Sequence, residues 1–532
     1  MQKRLVMLVA CLFVFLWAAT AFGQTVTANI TGSVKDPSGS MIPGATVTIT
    51  NLDKNIVVRT LTTDADGSYV ATQLEIGHYS MSAEAPGFKK TVQTGIELHV
   101  NDKLTINLAL EVGAISQEVT VEASPVQVEL LSPVAAGLIS GTQVRQLSLN
   151  NRNYEQLVAL MPGVSSGAAD QLYIGTTNPS GQTNVVSFAI NGNRNSANNW
   201  TVDGADNVDR GSNLTLLNYP SIDAIAEFKV LRGGYNPEFG RAAGGQVTVI
   251  TKSGGSQFHG DVYEFFRNDV ISANTFFNNA NNVKRPPLRY NNFGYTIGGP
   301  VYIPNHYNTS KDKTFFFFSQ EFRRVITYGT INGTVPTTAE KSGVFPHPVC
   351  VAFSGSTCTQ TATQITNINP VAAAYIKDIF SGVPDPQNAV TNNLFVPLRN
   401  IFNARQELIR IDHIFGPRLS LSGRYLQDKI PTEEPGGLFT GSALPGVATT
   451  STNSPGRSLT FRLTSTLSPT WLNEGGYAFS YGAIISNDIG SNSSSASPDV
   501  KIPLPFPVRF RPLYQRSGGT GISHSAQGDQ CL

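Results

Sequence analysis

From residue 256 onward, apolar and polar residues alternate with a period of two. Leu459, Phe461, Leu463 and Leu467 interleave with Ser458, Thr460, Arg462, Thr464 and Thr466. Ile409, Ile411 and Phe415 alternate with Arg410 and Asp412, and beyond Gly416-Pro417 the run continues as Leu419, Leu421 and Tyr425 against Ser420, Ser422 and Arg424. Trp471, Tyr477, Phe479 and Tyr481 stand opposite Glu474 and Ser480. Successive strand side chains point to opposite faces, so each run predicts a ribbon with one apolar and one wet side. Strand candidates cover 258–267, 290–303, 313–328, 406–415, 418–428, 457–467 and 470–483. A soluble sandwich would show the same period. The connections discriminate: they are modest or short within a pair, as at Gly416-Pro417 and Ser468-Pro469-Thr470, and long between pairs, above all from 329 to 405. Short periplasmic turns alternating with long extracellular loops are the habit of outer-membrane barrels. The longest loop is then extracellular, and within it Val371-Ala372-Ala373-Ala374-Tyr375-Ile376 reads as a short organising helix.

Upstream, residues 24–111 read as a compact all-β unit. Alternation in Val47-Thr48-Ile49 and Leu104-Thr105-Ile106-Asn107-Leu108 is punctuated by the turns Asp36-Pro37-Ser38-Gly39, Ile42-Pro43-Gly44, Asp64-Ala65-Asp66-Gly67 and Pro86-Gly87, which suggests a small sandwich. Asp64-x-Asp66 with Glu75 invites a calcium-loop reading, but Gly67 falls at the fourth position rather than the sixth, so an Asx turn is expected. In the linker 112–130, Glu118-Val119-Thr120-Val121 is β-prone. By itself it reads as the last strand of the preceding domain, or as an extended segment offering its backbone to a partner's sheet edge. Residues 131–255 look mixed α/β: Asn150-Asn151-Arg152-Asn153 leads into a short helix, Tyr154 to Leu160, ended by Pro162-Gly163. Asn191-Gly192-Asn193 and Asp203-Gly204 are hairpin-type turns.

The start of the chain settles the compartment. Lys3 and Arg4 precede an apolar run from Leu5 to Trp17, and a cleavage point follows Ala21-Phe22-Gly23, so 1–23 is expected to be a signal peptide. Leu8-Val9-Ala10-Cys11 is a lipoprotein-box rival, but cleavage there leaves only a stub of apolar sequence. No later apolar run approaches the roughly 20 residues of a spanning helix, so insertion would be by strands. In an oxidising compartment Cys350 and Cys358 are disulfide candidates across a short loop; only His347 is near enough to suggest a metal instead.

Composition removes several function classes. Charged residues are 14% of the chain and the net charge is +1, against roughly 25% charged in a typical soluble domain. No basic stripe suggests nucleic acid. The glycine pairs at 233–234 and 244–245 lack the Gly-Lys-[Ser/Thr] of a phosphate cradle. The 7 histidines are scattered and no nucleophile, base and orienter coincide, so catalysis is not expected. Glu227 and Asp223 read as solvated charges.

Taken in order, these residues resemble the TonB-dependent receptor family, in the Oar-like branch that carries an N-terminal carboxypeptidase-regulatory-like domain. The first domain matches in Gly32-Ser33-Val34-Lys35-Asp36-Pro37-Ser38-Gly39, Ile42-Pro43-Gly44-Ala45-Thr46-Val47, Asp66-Gly67-Ser68-Tyr69, Gly77-His78-Tyr79 and Pro86-Gly87-Phe88. The plug matches in Tyr235-Asn236-Pro237-Glu238-Phe239-Gly240-Arg241-Ala242-Ala243-Gly244-Gly245-Gln246-Val247, Thr251-Lys252-Ser253-Gly254 and Phe265-Phe266-Arg267-Asn268-Asp269. The resemblance implies a mainly-β chain: a sandwich at 24–111, a TonB-box-like linker at 112–130, a plug at 131–255, and the first seven or so antiparallel strands of a transmembrane barrel at 256–532. It implies no cofactor. It implies TonB as partner, engaging Glu118, Val119, Thr120 and Val121, with the ExbB/ExbD complex supplying energy, and outer-membrane lipid around the barrel. The sandwich and plug would lie on the periplasmic side, and the ligand is an unidentified extracellular molecule. The first domain also looks like carbohydrate-binding sandwiches, so a surface carbohydrate-binding or adhesion protein is the alternative; there Tyr69, Tyr79 and Phe88 would have to be exposed rather than in the core.

Plugged transporters of this kind have about 22 strands. Seven candidates, a proline-rich tail after Asp499 and the ending Gln530-Cys531-Leu532 in place of a final aromatic lead to the expectation of a truncated product or partial gene, with assembly from several chains as the alternative.

Overall fold

A computed structural model describes residues 26–489 apart from 114–117, 123–132, 150, 168–171, 176–184, 238, 281–283, 381–382, 388–393, 417, 435–448 and 469–470, and also describes 510–513, 523–526 and 530–531. The signal peptide expected at 1–23, with Cys11, lies outside the described residues.

The N-terminal part is a sandwich of two sheets. In one, Ala28–Lys35 lies between Ser68–Leu74, antiparallel, and the short parallel strands Lys103–Thr105 and Leu108–Ala109. The other runs Ile56–Thr62, Thr46–Asn51, Gly77–Glu84, Lys90–Leu98, Glu118–Glu122. Period-two alternation sends Ile30, Val34, Val47, Ile49, Met81, Ala83, Ile96 and Leu98 into one core between them. Tyr69 and Tyr79 are buried in that core. The Tyr69 hydroxyl donates to the Ile106 carbonyl at 2.6 Å and the Tyr79 hydroxyl to the Glu75 carbonyl at 2.8 Å. Phe88 packs, half-buried, against the same core. The Asp64 carboxylate accepts from the Asp66 and Ser68 amides, making an Asx turn.

The middle part is built on a five-stranded sheet ordered Ala135–Ser140, Ile225–Gly233, Gln246–Thr251, Asn199–Val202, Ala205–Asp206. Ser140 caps the one-and-a-half-turn helix Gly141–Gln146 in a capping box with Gln143. The segment read as a helix from Tyr154 is a 3-10 helix, Tyr154–Leu160, whose end turns through Gly163 at φ +77°. Asp203 and Gly204 both have positive φ, at 49° and 82°, and close a tight hairpin.

Seven long strands follow as neighbours in chain order: His259–Asn268, Leu288–Pro300, Thr314–Gly333, Leu394–Gly416, Leu419–Lys429, Gly456–Ser468 and Trp471–Ile489. All pair antiparallel. Pro431–Glu434 and Thr449–Asn453 prolong the fifth and sixth strands beyond kinks. The third and fourth strands are longer than the sequence pattern predicts, because their ladder continues in register from Thr314↔His413 to Gly333↔Leu394 after strict alternation is lost. The loop between them is therefore shorter than 329–405, and it contains a hairpin, Val344–Ser354 with Thr357–Gln364, that the sequence reading missed. A helical turn at Pro370–Tyr375 continues into Ile376–Phe380.

The two faces of this sheet differ as the alternation predicts. Val262, Phe266, Ile297, Ile411, Phe461, Leu467, Trp471 and Tyr477 are exposed on the outer face, Val262 at 88%. The inner face buries Asn292, Ser319, Glu321, Arg323, Gln406, Asp412, Arg424 and Asp428, together with the apolar Phe315, Phe317, Val325, Phe402, Leu408 and Leu426. An apolar outside over an inside that buries charged and polar side chains inverts a soluble domain and suits strands in lipid. No helix among the described residues is long and apolar enough to cross a membrane.

Candidate functional site

The middle domain sits against the inner face and touches each of the seven strands. The Arg267 guanidinium donates to Asn151 at 2.5 Å, and the Tyr290 hydroxyl to the Asn151 carbonyl at 3.2 Å. Arg152 has a left-handed backbone, φ 53°, which throws its guanidinium outward from the Asn151–Asn153 turn. There it pairs with Asp223, donates to Asn292 at 2.9 Å and lies 4.0 Å from the Phe265 ring centre. Arg323 reaches in from the third strand to Asn153 at 2.8 Å. Ser221 and Ser319 meet at 3.1 Å, Gln406 donates to the Tyr219 carbonyl, and the Tyr219 amide donates to Asp428 at 2.6 Å. Leu217 lies so close to Gly456 and Gly482 that a Cβ on either would fall within 3 Å of it.

Arg424 reaches the plug from the fifth strand. Its guanidinium donates to Asp203 at 2.9 Å and to the Val202 carbonyl at 2.8 Å, and only 2% of the side chain is exposed. Asp203 also accepts from the Thr251 amide and hydroxyl. Burial raises the Asp203 pKa, but the charges of Arg424 and Arg410 and the Thr251 bonds outweigh it and hold the carboxyl below its ordinary range. Glu155 is the opposite case. Burial pushes it up to about 7, since its own backbone bond and the Arg323 charge compensate only in part, and among the described residues its Oε2 has no hydrogen-bond partner.

Two sequence readings need correction. Glu227 and Asp223 are not solvated charges: both are buried, Glu227 against His99 and the Val100 amide, Asp223 against Arg152. Their partners lie 71 or more residues away. The arginines at 152, 323 and 424 also escaped notice as functional residues. A signal existed: a charged residue on the wet side of a strand whose other side meets lipid must find its partner inside.

Glu118–Glu122 forms a parallel strand on Lys90–Leu98, in register from Lys90↔Glu118 to Thr94↔Glu122. Among the described residues its other edge carries no strand. Cys350 and Cys358 are joined as a disulfide near the tip of the loop hairpin, with Cα atoms 5.8 Å apart. The two candidate sites lie in different elements, one on the sandwich and one on the loop hairpin. The aromatics that a glycan platform would need, Tyr69 and Tyr79, are 4% and 1% exposed.

A small domain held by buried ion pairs, hydrogen bonds and a shared apolar core, with Phe317, Phe402 and Leu426 of the wall packed into it, inside a sheet with a lipid-facing exterior, defines a plugged outer-membrane barrel protein. The sequence matches the outer membrane beta barrel domain over residues 250–529, the TonB-dependent receptor plug domain over 130–247 and the carboxypeptidase regulatory-like domain over 29–111. The chain belongs to the TonB-dependent receptors of the outer membrane, a family of receptors and transporters rather than enzymes. It is 28% identical over 331 residues to the TonB-dependent transporter Oar of Myxococcus xanthus, a match covering 60% of this chain and 29% of that relative's length. Among solved structures it is similar to the outer-membrane transporter YddB of Escherichia coli, with 10% identity and a TM-score of 0.42 over 68% of this chain and 41% of that one. A mutant of the ferric enterobactin receptor of Pseudomonas aeruginosa gives 13% identity and a TM-score of 0.33, over 67% and 46%.

Proposed function

We propose that this chain contributes the periplasmic domain, plug and wall strands of a receptor that admits an extracellular ligand when TonB pulls on the plug. TonB would engage Glu118 to Val121, with the ExbB/ExbD complex supplying the energy. The observation that carries this reading is the strand Glu118–Glu122, which among the described residues is paired along one edge only and which precedes the plug in the chain. Such an edge offers its amides and carbonyls to a strand from another protein, and main-chain pairing of this kind tolerates loose sequence identity. Charged and polar groups on both sides of the plug–wall seam can be rehydrated as they part, whereas the apolar side chains the plug shares with the wall, Phe317, Phe402 and Leu426 among them, make displacement cost work that TonB's pull would supply. Ligand chemistry would be set by the extracellular loops.

The test is binding of TonB's periplasmic domain to the intact receptor and to a peptide spanning 112–126. Val119→Pro and Val121→Pro each remove an amide from the strand and should abolish binding while leaving the receptor folded. Absence of binding by both receptor and peptide would remove the TonB mechanism.

A further inference from the structure

The sandwich does not hang free below the plug. It touches the plug, the wall and the joint between them. Against the plug, Glu227 accepts from the Val100 amide at 2.6 Å and meets His99 Nδ1 at 2.7 Å, while Lys229 donates to Asp102 at 2.6 Å. Beside these contacts Val26 and Val100 of the sandwich bury Ile250 of the plug sheet, with Ile76 packed alongside. At the joint, the Ser256 amide donates to the Asp53 carbonyl at 2.9 Å and the Ser256 hydroxyl does so at 3.2 Å. Gly255 lets the chains approach: a Cβ there would stand 2.9 Å from that carbonyl. Against the wall, the ammonium of Lys54, 4% exposed, lies 3.5 Å from Asp412 and 5.6 Å from the Phe315 ring centre.

The placement matters because residues 252–258 are the only covalent link from the last plug strand, Gln246–Thr251, to the first wall strand, His259–Asn268. Any movement of plug relative to wall must bend that link, and the sandwich pins it at Ser256. We propose that the N-terminal sandwich is a releasable latch across the plug–wall joint, and that a load on the strand Glu118–Glu122 reaches this latch before it reaches the plug. The second clause rests on the TonB reading above; the first does not.

The interface is built to let go. Lys54 keeps Glu75 of its own domain as partner, at 2.6 Å, when Asp412 is withdrawn. Asp412 keeps Arg410, at 3.1 Å. Asp102 keeps the His99 amide, at 2.9 Å. Separation therefore strands few charges, and among the described residues the apolar cluster at this contact is small: Val26, Ile76, Val100 and Ile250. Interfaces with so many polar contacts allow domains to move apart. The strand Glu118–Glu122 is zipped onto Lys90–Leu98, which is part of the sandwich and not of the plug. Tension on it is delivered to the sandwich.

The interface reports on itself through two amides, Val100 and Ser256, whose acceptors lie across it. Hydrogen exchange is followed at both in the intact protein in lipid nanodiscs, with Ile49 of the sandwich and Val249 of the plug as internal controls. Asp102→Lys and Lys229→Asp should each speed exchange at Val100 and Ser256 by about tenfold or more, leaving the controls unchanged, and the double exchange of charges should restore protection to within about threefold. Gly255→Val should release Ser256 by a steric route that leaves the charges intact. Unchanged exchange in all the single variants, or control amides opening together with the interface, would overturn the latch. Adding TonB's periplasmic domain to the wild type should speed exchange at both amides. If TonB binds without doing so, the load path is overturned although the recruitment reading stands. If TonB does not bind, the recruitment reading and the load path fall together, and the charge exchange still decides the latch.

Discussion

Glu155 offers a quantitative handle on the plug–wall seam. Its carboxyl is 6% exposed in the 3-10 helix Tyr154–Leu160, with the neighbouring Tyr154 hydroxyl also buried and unpartnered. Burial raises its pKa from 4.5 to about 7. A folded-state value above the unfolded one means that the native protein holds a proton the unfolded chain gives up. The stabilising effect is complete below pH 4.5 and is lost as pH rises through 7. A shift from 4.5 to about 7 corresponds to about 3 kcal/mol between acid and mildly alkaline solution. Glu155→Gln keeps the shape and removes the titration. Plug stability, read as the exchange free energy of the Val249 amide between pH 5 and 8.5, should fall by about that amount in the wild type. In the variant most of this slope should vanish, with the larger gain over wild type at pH 8.5. Superimposable wild-type and Glu155→Gln profiles would refute the assignment, since the slope would then belong to another group.

Other consequences follow from the same geometry. Arg424→Met leaves Asp203 buried without its main counter-charge and should loosen the plug by about 3–5 kcal/mol, measured as exposure of the Thr251 amide. On the outer face, Val262→Arg places a charge where lipid is expected and should cost about 2–4 kcal/mol of wall stability if the site is near mid-membrane, read by urea unfolding in bilayers. Reducing Cys350–Cys358, with a sequence separation of 8, should free roughly 2–3 kcal/mol of loop-closure restraint in the hairpin while leaving plug exchange unaltered. His99 supplies a pH test of the sandwich contact. Burial lowers its pKa, but the bond to Glu227 and the charges of Glu227, Asp102 and Glu97 raise it above 6.5 overall. Docking support is therefore full below pH 6.5 and declines as pH rises through the elevated value, so Val100 exchange, corrected for intrinsic rate, should accelerate across that range and do so less in His99→Gln.

What the sequence alone determined is local and periodic. The two-faced strands from His259 to Ile489, the order of the pairs and the Asp203-Gly204 turn are all legible, because a strand's burial pattern repeats every second residue and tight turns demand particular residues. The tertiary structure decided which charges meet. Asp223 and Glu227 carry no local mark of burial; Arg152 and His99 reach them across 71 and 128 residues. The same holds for Glu118–Glu122, whose strand propensity is visible but whose choice of Lys90–Leu98 is not. Parallel pairing depends on where the chain returns in space, and a one-dimensional pattern does not contain that information. The docking of the sandwich on the plug–wall joint is of the same kind: it comes from surface charges and a few apolar side chains that only the folded domains bring together.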